Sequence, residues 1–296
     1  MTQINIQFTR FSAFYSPLIS TMSGGFLAAE GLEPVHSIAP PGVSAIDALL
    51  DGSAHVVQSA LSQGLTTLEK GETNKTFHFA QINEMDGFFL TGRNGEPDFA
   101  WANLNGKKVL VDHGGQPLAM FKFACHKAGI NYDDIDAIDA GNGAEMDAAF
   151  RAGEGDYIHQ QGPAPQQLEF DGVGHVVASV GQPIGPCGFS SLASTPEWLE
   201  SDMAKAFMRA YRKTRAYINE APAAEIAAAE ASFFPDIDQT VLANTIEFYQ
   251  GLGNWSPHVE ITKAAYEVTL DVLEHVGRLT KRHAYEDVCM LPPAKD

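Results

Sequence analysis

Residues 4–9 alternate apolar and polar side chains, the period of two that a half-buried strand shows. A loop at 11–15 follows, and Pro17 stands where the first turn of a helix tolerates a missing N–H. That helix is expected to run to about Glu30 and stop at Gly31. A second strand at 33–39, a turn at Pro40-Pro41-Gly42, a helix over 44–51 ended by Gly52 and a short buried strand at 55–58 complete the first third. The middle third repeats the recipe. It has strands at 107–112, 134–140 and 157–160, helices at 116–128 and 144–152, and further extended segments at 175–179 and 188–193. Alternating elements of this kind predict a mostly parallel sheet covered by helices, an α/β fold. The last hundred residues read as helices at 201–220, 222–231, 239–251 and 262–276.

A pseudo-repeat links the first two thirds. Each half contains strand, small-residue turn, Ala-rich helix, glycine, strand and polar loop, ending at His55-Val56-Val57-Gln58-Ser59 and at Tyr157-Ile158-His159-Gln160-Gln161. Two such units predict two lobes facing each other. Ligands on α/β sheets bind outside the carboxyl ends of the strands, so the cleft between the lobes is the expected site.

Composition narrows the partners. The 296 residues carry 19 basic and 37 acidic side chains, a formal net charge of −18. That balance argues against nucleic acid and against anionic lipid as partners. No apolar run is long enough to insert in a membrane. The three cysteines (Cys125, Cys187, Cys289) are widely separated, forming neither a metal-type pair nor a disulfide framework. No metal or cofactor motif appears, so none is expected. The basic cluster Lys205, Arg209, Arg212, Lys213 and Arg215 reads as a solvated helix face rather than an interaction patch.

Candidate site residues follow from the strand ends. Arg10 could clamp an anion bidentately. Phe11, Phe14 and Tyr15 could wall a flat heterocycle, and Ser12 and Ser16 lie on the same loop and helix start, where free N–H groups suit an anion. Gly42 and Ser44 open the second helix, and Gln58 and Ser59 follow the third strand. Gly114-Gly115-Gln116 is a strand-to-helix turn whose glycines let backbone N–H groups approach a ligand. Asn142, His159, Gln160 and Gln161 complete the second wall. Each has a plainer structural reading as core, cap or turn.

Several tracts resemble a known family. Tyr15-Ser16-Pro17-Leu18, Gly25-Phe26-Leu27-Ala28-Ala29-Glu30-Gly31-Leu32-Glu33-Pro34-Val35 and Asp51-Gly52-Ser53-Ala54-His55-Val56-Val57 are similar in order and spacing to type II periplasmic-binding proteins of the SsuA, ThiY and THI5/NMT1-like group. His55 stands where that group usually has Asp. Leu104-Asn105-Gly106-Lys107-Lys108-Val109, Gly153-Glu154-Gly155-Asp156-Tyr157 and Ser194-Thr195-Pro196-Glu197-Trp198 continue the resemblance. It implies a two-lobed, hinged fold with a C-terminal helical segment. The expected lobes are 1–90 with 190–296, and 91–189, with crossings near 87–91 and 188–191. It also implies a monomer that binds a small polar or anionic, planar ligand, pyrimidine-like or sulfonate-like, and delivers it to an ABC permease. The location would be periplasmic if a leader has been removed, cytoplasmic if the chain is native as written. A cytosolic enzyme of the same fold is the alternative. THI5-type synthases carry a run of cysteines that this chain lacks, and the desulfinase nucleophile position aligns with Ser12.

Overall fold

The computed structural model describes residues 1–40 and 42–294; Pro41, in the expected turn, lies outside the described residues. Strand β1 (Thr2–Phe8) leads through a 3-10 turn at Ala13–Tyr15 into α1 (Ser16–Ser23) and α2 (Phe26–Ala29). The single helix expected over 17–30 is therefore two. Gly25 between them sits at φ 72°, in the left-handed region that a right-handed helix cannot pass through. The chain continues through β2 (Leu32–Ile38), α3 (Ala45–Leu50), β3 (Val56–Ser59), α4 (Leu61–Glu69) and β4 (Phe77–Asn83). A second set follows, made of β5 (Phe88–Gly92), β6 (Lys108–Leu110), α5 (Gly115–Lys127), β7 (Asp136–Ile138), α6 (Gly143–Arg151), β8 (Tyr157–Gln161), α7 (Ala164–Phe170) and β9 (His175–Ser179). Strand β10 (Ser190–Ser194) returns to the first set. The remainder is helical, with α8 (Pro196–Leu199), α9 (Asp202–Glu220), α10 (Ala223–Glu230), α11 (Gln239–Leu252) and α12 (Lys263–His275).

The strands form two five-stranded sheets, β2-β1-β3-β10-β4 and β7-β6-β8-β5-β9. In the first, β1 runs parallel to β2 and β3; in the second, β6 runs parallel to β7 and β8. One strand in each is reversed, β10 against β3 and β4, and β5 against β8 and β9. The sheets are thus mixed rather than simply parallel. The reversed strand is in each case the one that arrives from the other sheet, entering from the opposite end. The pseudo-repeat of the sequence corresponds to β2-α3-β3 and β7-α6-β8.

The chain crosses between sheets at 84–87 and again at 180–189. An aromatic cluster packs around these crossings. Phe14 lies 5.2 Å from Tyr249 and 5.4 Å from Phe189, ring centre to ring centre, and Phe89 lies 5.6 Å from Tyr249. A β-carbon on Gly87 would come 2.2 Å from the Phe14 ring, so that close approach requires glycine. The Tyr249 hydroxyl donates to the Gly87 carbonyl at 2.8 Å and accepts from the Gly162 N–H at 2.9 Å. It joins α11, the first crossing and the end of β8. The basic cluster of α9 is likewise structural in part. Arg215 is fully buried and donates to the carbonyls of Ile82 and Ser256, while Arg209 and Lys213 both pair with Glu30.

Replacing Tyr249 by Phe keeps the ring packing and leaves a buried N–H and a buried carbonyl unpaired. The expected loss is about 1–3 kcal/mol of unfolding free energy, measured by urea denaturation.

Candidate functional site

The carboxyl ends of β1, β3, β6 and β8 converge on the cleft between the sheets. Arg10, just past β1, reaches across it to Asp112, just past β6, with Nη1 2.9 Å from Oδ2. The arginine side chain is 45% exposed and the aspartate 12%. Burial tends to raise the Asp112 pKa, but the guanidinium charge and its hydrogen bond override it and hold the carboxyl below its usual range. Arg10 is therefore not a free anion clamp, as expected from sequence, but half of an ion pair that divides the cleft.

On one side lies a cavity of about 510 Å³. Arg10, Phe11 and Ser12 of the first lobe face His159, Gln160, Gln161 and the start of α6 in the second. A lip at 231–237, between α10 and α11, supplies Phe233, Phe234, Pro235 and Ile237. Phe233 stands edge-on to Phe11 at 5.6 Å and packs on His36 at 5.0 Å. The wall is thus aromatic on one side and carries amides and an imidazole on the other. His159 is fully buried between Phe88 and Phe121, at 4.6 and 4.8 Å. Burial lowers its pKa to about 4, against the opposing pull of Asp112, so it is neutral at pH 7. Both its ring nitrogens, Gln160 Oε1 and both amide atoms of Gln161 have no hydrogen-bond partner among the described residues.

On the other side is a compartment of about 170 Å³, lined by Thr9, Tyr15, Gln58, Ser59, Ser62, Gln63, the Gly114-Gly115-Gln116 turn and Arg278. Neighbouring side chains crowd both glycines of this turn. A β-carbon at 114 would come 2.8 Å from Asp112 Oδ1, and one at 115 would come 3.1 Å from Arg278 Nη1. Gly114 offers no side chain to cap α5, so the first N–H groups of that helix are left for other partners. Gln116 donates to the Phe189 carbonyl at 2.8 Å, which ties α5 to the second crossing, and its Oε1 has no partner among the described residues. Gln58 Oε1 accepts from the N–H and hydroxyl of Thr9.

The structure thus gathers Arg10, Phe11, Ser12, Tyr15, Gln58, Ser59, Gly114, Gly115, Gln116, His159, Gln160 and Gln161 around one divided cleft. Asn142 caps α6 in a reciprocal capping box and borders a separate recess that Arg10 and Asp112 also line. Three expectations are corrected. Ser16 is fully buried, and its hydroxyl donates to Glu230 instead of facing the cleft. Gly42 and Ser44 line neither cavity, Ser44 being the cap of α3. Phe14 belongs to the core cluster at the crossings, not to a ligand wall. Sequence reading missed Asp112 as a cleft residue, along with Arg278 and the lip. The run Phe233-Phe234-Pro235, two aromatics in a helix-to-helix loop, was the available signal for the last.

The model of the NMT1/THI5-like family matches residues 14–225. The chain belongs to the NMT1/THI5-like family. It is 27% identical over 292 residues to the "Putative binding protein YtlA" of Bacillus subtilis (strain 168), covering 97% of this chain and 87% of that one. Among solved structures it superposes on the ligand-binding component of an ABC-type import system from Staphylococcus aureus, determined with zinc bound, with a TM-score of 0.77 at 16% identity and full coverage of both chains. The periplasmic aliphatic sulphonate binding protein SsuA of Escherichia coli gives 0.74 at 16% identity, covering 99% of this chain and 93% of that one. The two-lobed fold of this NMT1/THI5-like chain is shared with both.

Ser12, the position that aligns with the desulfinase nucleophile, is held by backbone groups. The Ser12 hydroxyl donates to the Gly162 carbonyl at 2.6 Å and accepts from the Phe14 N–H, with no base among its partners. The three cysteines are buried and unpaired, and burial raises all their pKa values, that of Cys125 to about 12.

The Arg10–Asp112 pair is partly solvated, so a double-mutant cycle with Arg10→Ala and Asp112→Asn is expected to give a coupling of about 0.2–1 kcal/mol at pH 7. Because the Asp112 pKa is lowered in the fold, the coupling is present above the ordinary carboxylate range. It begins to decline as pH falls below about 4 and is lost through the lowered native pKa, so thermal denaturation of the four proteins should give a smaller coupling at pH 3 than at pH 7.

Proposed function

We propose that this chain is a solute-binding protein that closes its two lobes over a small organic ligand and presents it to an ABC-type importer. The observation that carries the reading is the cavity of about 510 Å³, whose walls come from both lobes. Its size is that of an ordinary small-molecule site. Family membership and the binding roles in the names of the relatives support it. A periplasmic location goes with this role, and among the described residues no helix is long and apolar enough to cross a membrane.

The ligand we propose is a flat molecule bearing one anionic group. The smaller compartment supplies the uncapped start of α5, the Arg278 guanidinium, the exposed face of Arg10 and the amides and hydroxyls of Gln58, Gln63, Ser59 and Ser62. A helix N-terminus with a guanidinium over it favours an oxyanion. The larger cavity supplies Phe11, Phe233 and Phe234 for a planar body, with unpartnered polar atoms on Gln160 and Gln161 for its edge.

A thermal-shift screen should therefore favour heteroaryl sulfonates and carboxylates over the matching neutral heterocycles, since a ligand of the native state raises apparent stability. With the best hit, calorimetry should show Arg278→Ala and Phe233→Ala each weakening binding by about 1–3 kcal/mol. Equal binding of the neutral analogues, with Arg278→Ala unaffected, would remove the anionic group from the proposal. No response to any member of the screen would count against the binding role itself.

A further inference from the structure

The lip at 231–237 is one wall of the larger cavity, and it is attached to the rest of the protein in an unusual way. Glu230, the last residue of α10, is fully buried. Its two carboxyl oxygens accept hydrogen bonds from two serines one helical turn apart on α1, Ser16 at 2.7 Å and Ser20 at 2.6 Å. Ser16 opens the helix that follows Phe11 and Ser12, on the opposite wall of the cavity. The clasp therefore ties the residue just before the lip to the helix just after the β1 loop. No Lys, Arg or His is paired with it among the described residues, which is uncommon for a buried carboxylate.

We propose that Glu230 is the positioning residue that holds the lip over the cavity, and that it does so as the neutral acid, so that the lip loosens as the solution becomes alkaline. A neutral carboxyl can sit between two hydroxyls without the penalty of a buried charge, donating its own proton to one serine oxygen while accepting from the other, and burial raises its pKa to about 8 in spite of the two serine bonds. The surrounding groups reinforce this. Helix α1 carries no acidic or basic side chain. On α9 the facing titratable group is Tyr217, whose hydroxyl donates to Glu225 of α10, and on α11 Glu247 is exposed. None supplies a positive charge. Other ionisable groups near the lip are His36, which packs on Phe233, and the exposed Asp236.

The direction of the effect follows from proton binding. With the lip open and Glu230 in water, its pKa is that of an ordinary glutamate, about 4.3. With the lip closed it is about 8. Closure is fully favoured below the lower value. The open population then rises about tenfold per pH unit through the interval and levels off above the higher one. The role of the lip as a ligand wall rests on the binding reading above, but its attachment does not, so the test uses the ligand-free full chain.

Amide hydrogen exchange of residues 231–237 is measured from pH 5.5 to 9.5 in the native protein and in Glu230→Gln. The glutamine keeps the shape and cannot ionise. The ratio of native to variant exchange rates cancels the intrinsic pH dependence of exchange and every contribution that the two proteins share. It is expected to rise between pH 5.5 and about 8 by roughly tenfold per unit and then reach a plateau. The double variant Ser16→Ala with Ser20→Ala removes the two bonds that favour the ionised form, so its plateau is expected to begin at higher pH. A ratio that stays flat across the range, or a rise confined below pH 5.5, overturns the proposal. Exchange that rises equally in both proteins assigns the pH dependence to groups other than Glu230 and overturns it too. A flat binding screen with the predicted exchange behaviour would leave the clasp standing and remove only the ligand.

Discussion

The double crossing of the chain between its sheets is the constraint on which the remaining architecture rests. Two segments, 84–87 and 180–189, must run side by side through the narrow waist of the molecule. They are bonded directly, Cys187 N–H to the Glu84 carbonyl at 2.7 Å and Val180 N–H to the Phe88 carbonyl at 2.9 Å. A β-carbon on Gly181 would lie 2.3 Å from the Asp86 carbonyl, so side chains are excluded where the two segments touch. The reversed strands β5 and β10 follow from this geometry, because each enters its sheet from the waist. The strand ends that face the cleft follow as well, since the parallel trio of each sheet then points its carboxyl ends at the other lobe. Hinged binding proteins move about connections of this kind, short segments that absorb backbone rotation while the packed lobes stay rigid.

The waist is held by groups that belong to neither sheet. Tyr249 from α11, Gln116 from α5 and Thr269 from α12 each hydrogen-bond to a backbone group at or beside a crossing. Asp86 within the first crossing is fully buried, and burial raises its pKa to about 7 although the Phe88 N–H bonds to one oxygen. The helices of the C-terminal third thus serve as braces for the hinge and, through the 231–237 lip, as part of the cavity wall. Their amphipathic faces explain why they fold onto the lobes, but not which lobe each one braces.

Much of the fold was legible from local patterns. Helix α5 and strand β9 were placed within a residue or two, and the repeat of β2-α3-β3 in β7-α6-β8 was visible because each unit punctuates itself with glycine. Strand β4 and helices α4 and α7 were not assigned. Of these, α4 does carry a helical signal in Leu61, Leu65 and Leu68, whereas β4 is buried along almost its whole length and so has no alternation to read. The candidate site was legible where it depends on strand ends, as at Gln58, Gln116 and His159. It was not legible where it depends on partners distant in sequence. Asp112 claims Arg10 from 102 positions away, and Glu230 claims Ser16 from 214, and neither pairing leaves a local mark.

The ion pair across the cleft also reframes the net charge of −18. A protein so acidic slows the approach of an anion over the range where its field is unscreened, roughly 8 Å at physiological ionic strength. Selectivity for an anion then has to come from groups closer than that distance. Arg10 alone would be a poor choice, because Asp112 cancels most of its charge at 2.9 Å. The helix start at Gly115 with Arg278 over it is not cancelled in this way, and it sits on the side of the ion pair away from the aromatic cavity. An anionic group seated there need not break the pair. For the ligand proposed above, such a group would meet Arg10 from the smaller compartment while Asp112 keeps its bond to Nη1, so the proposed binding would not compete with the ion pair.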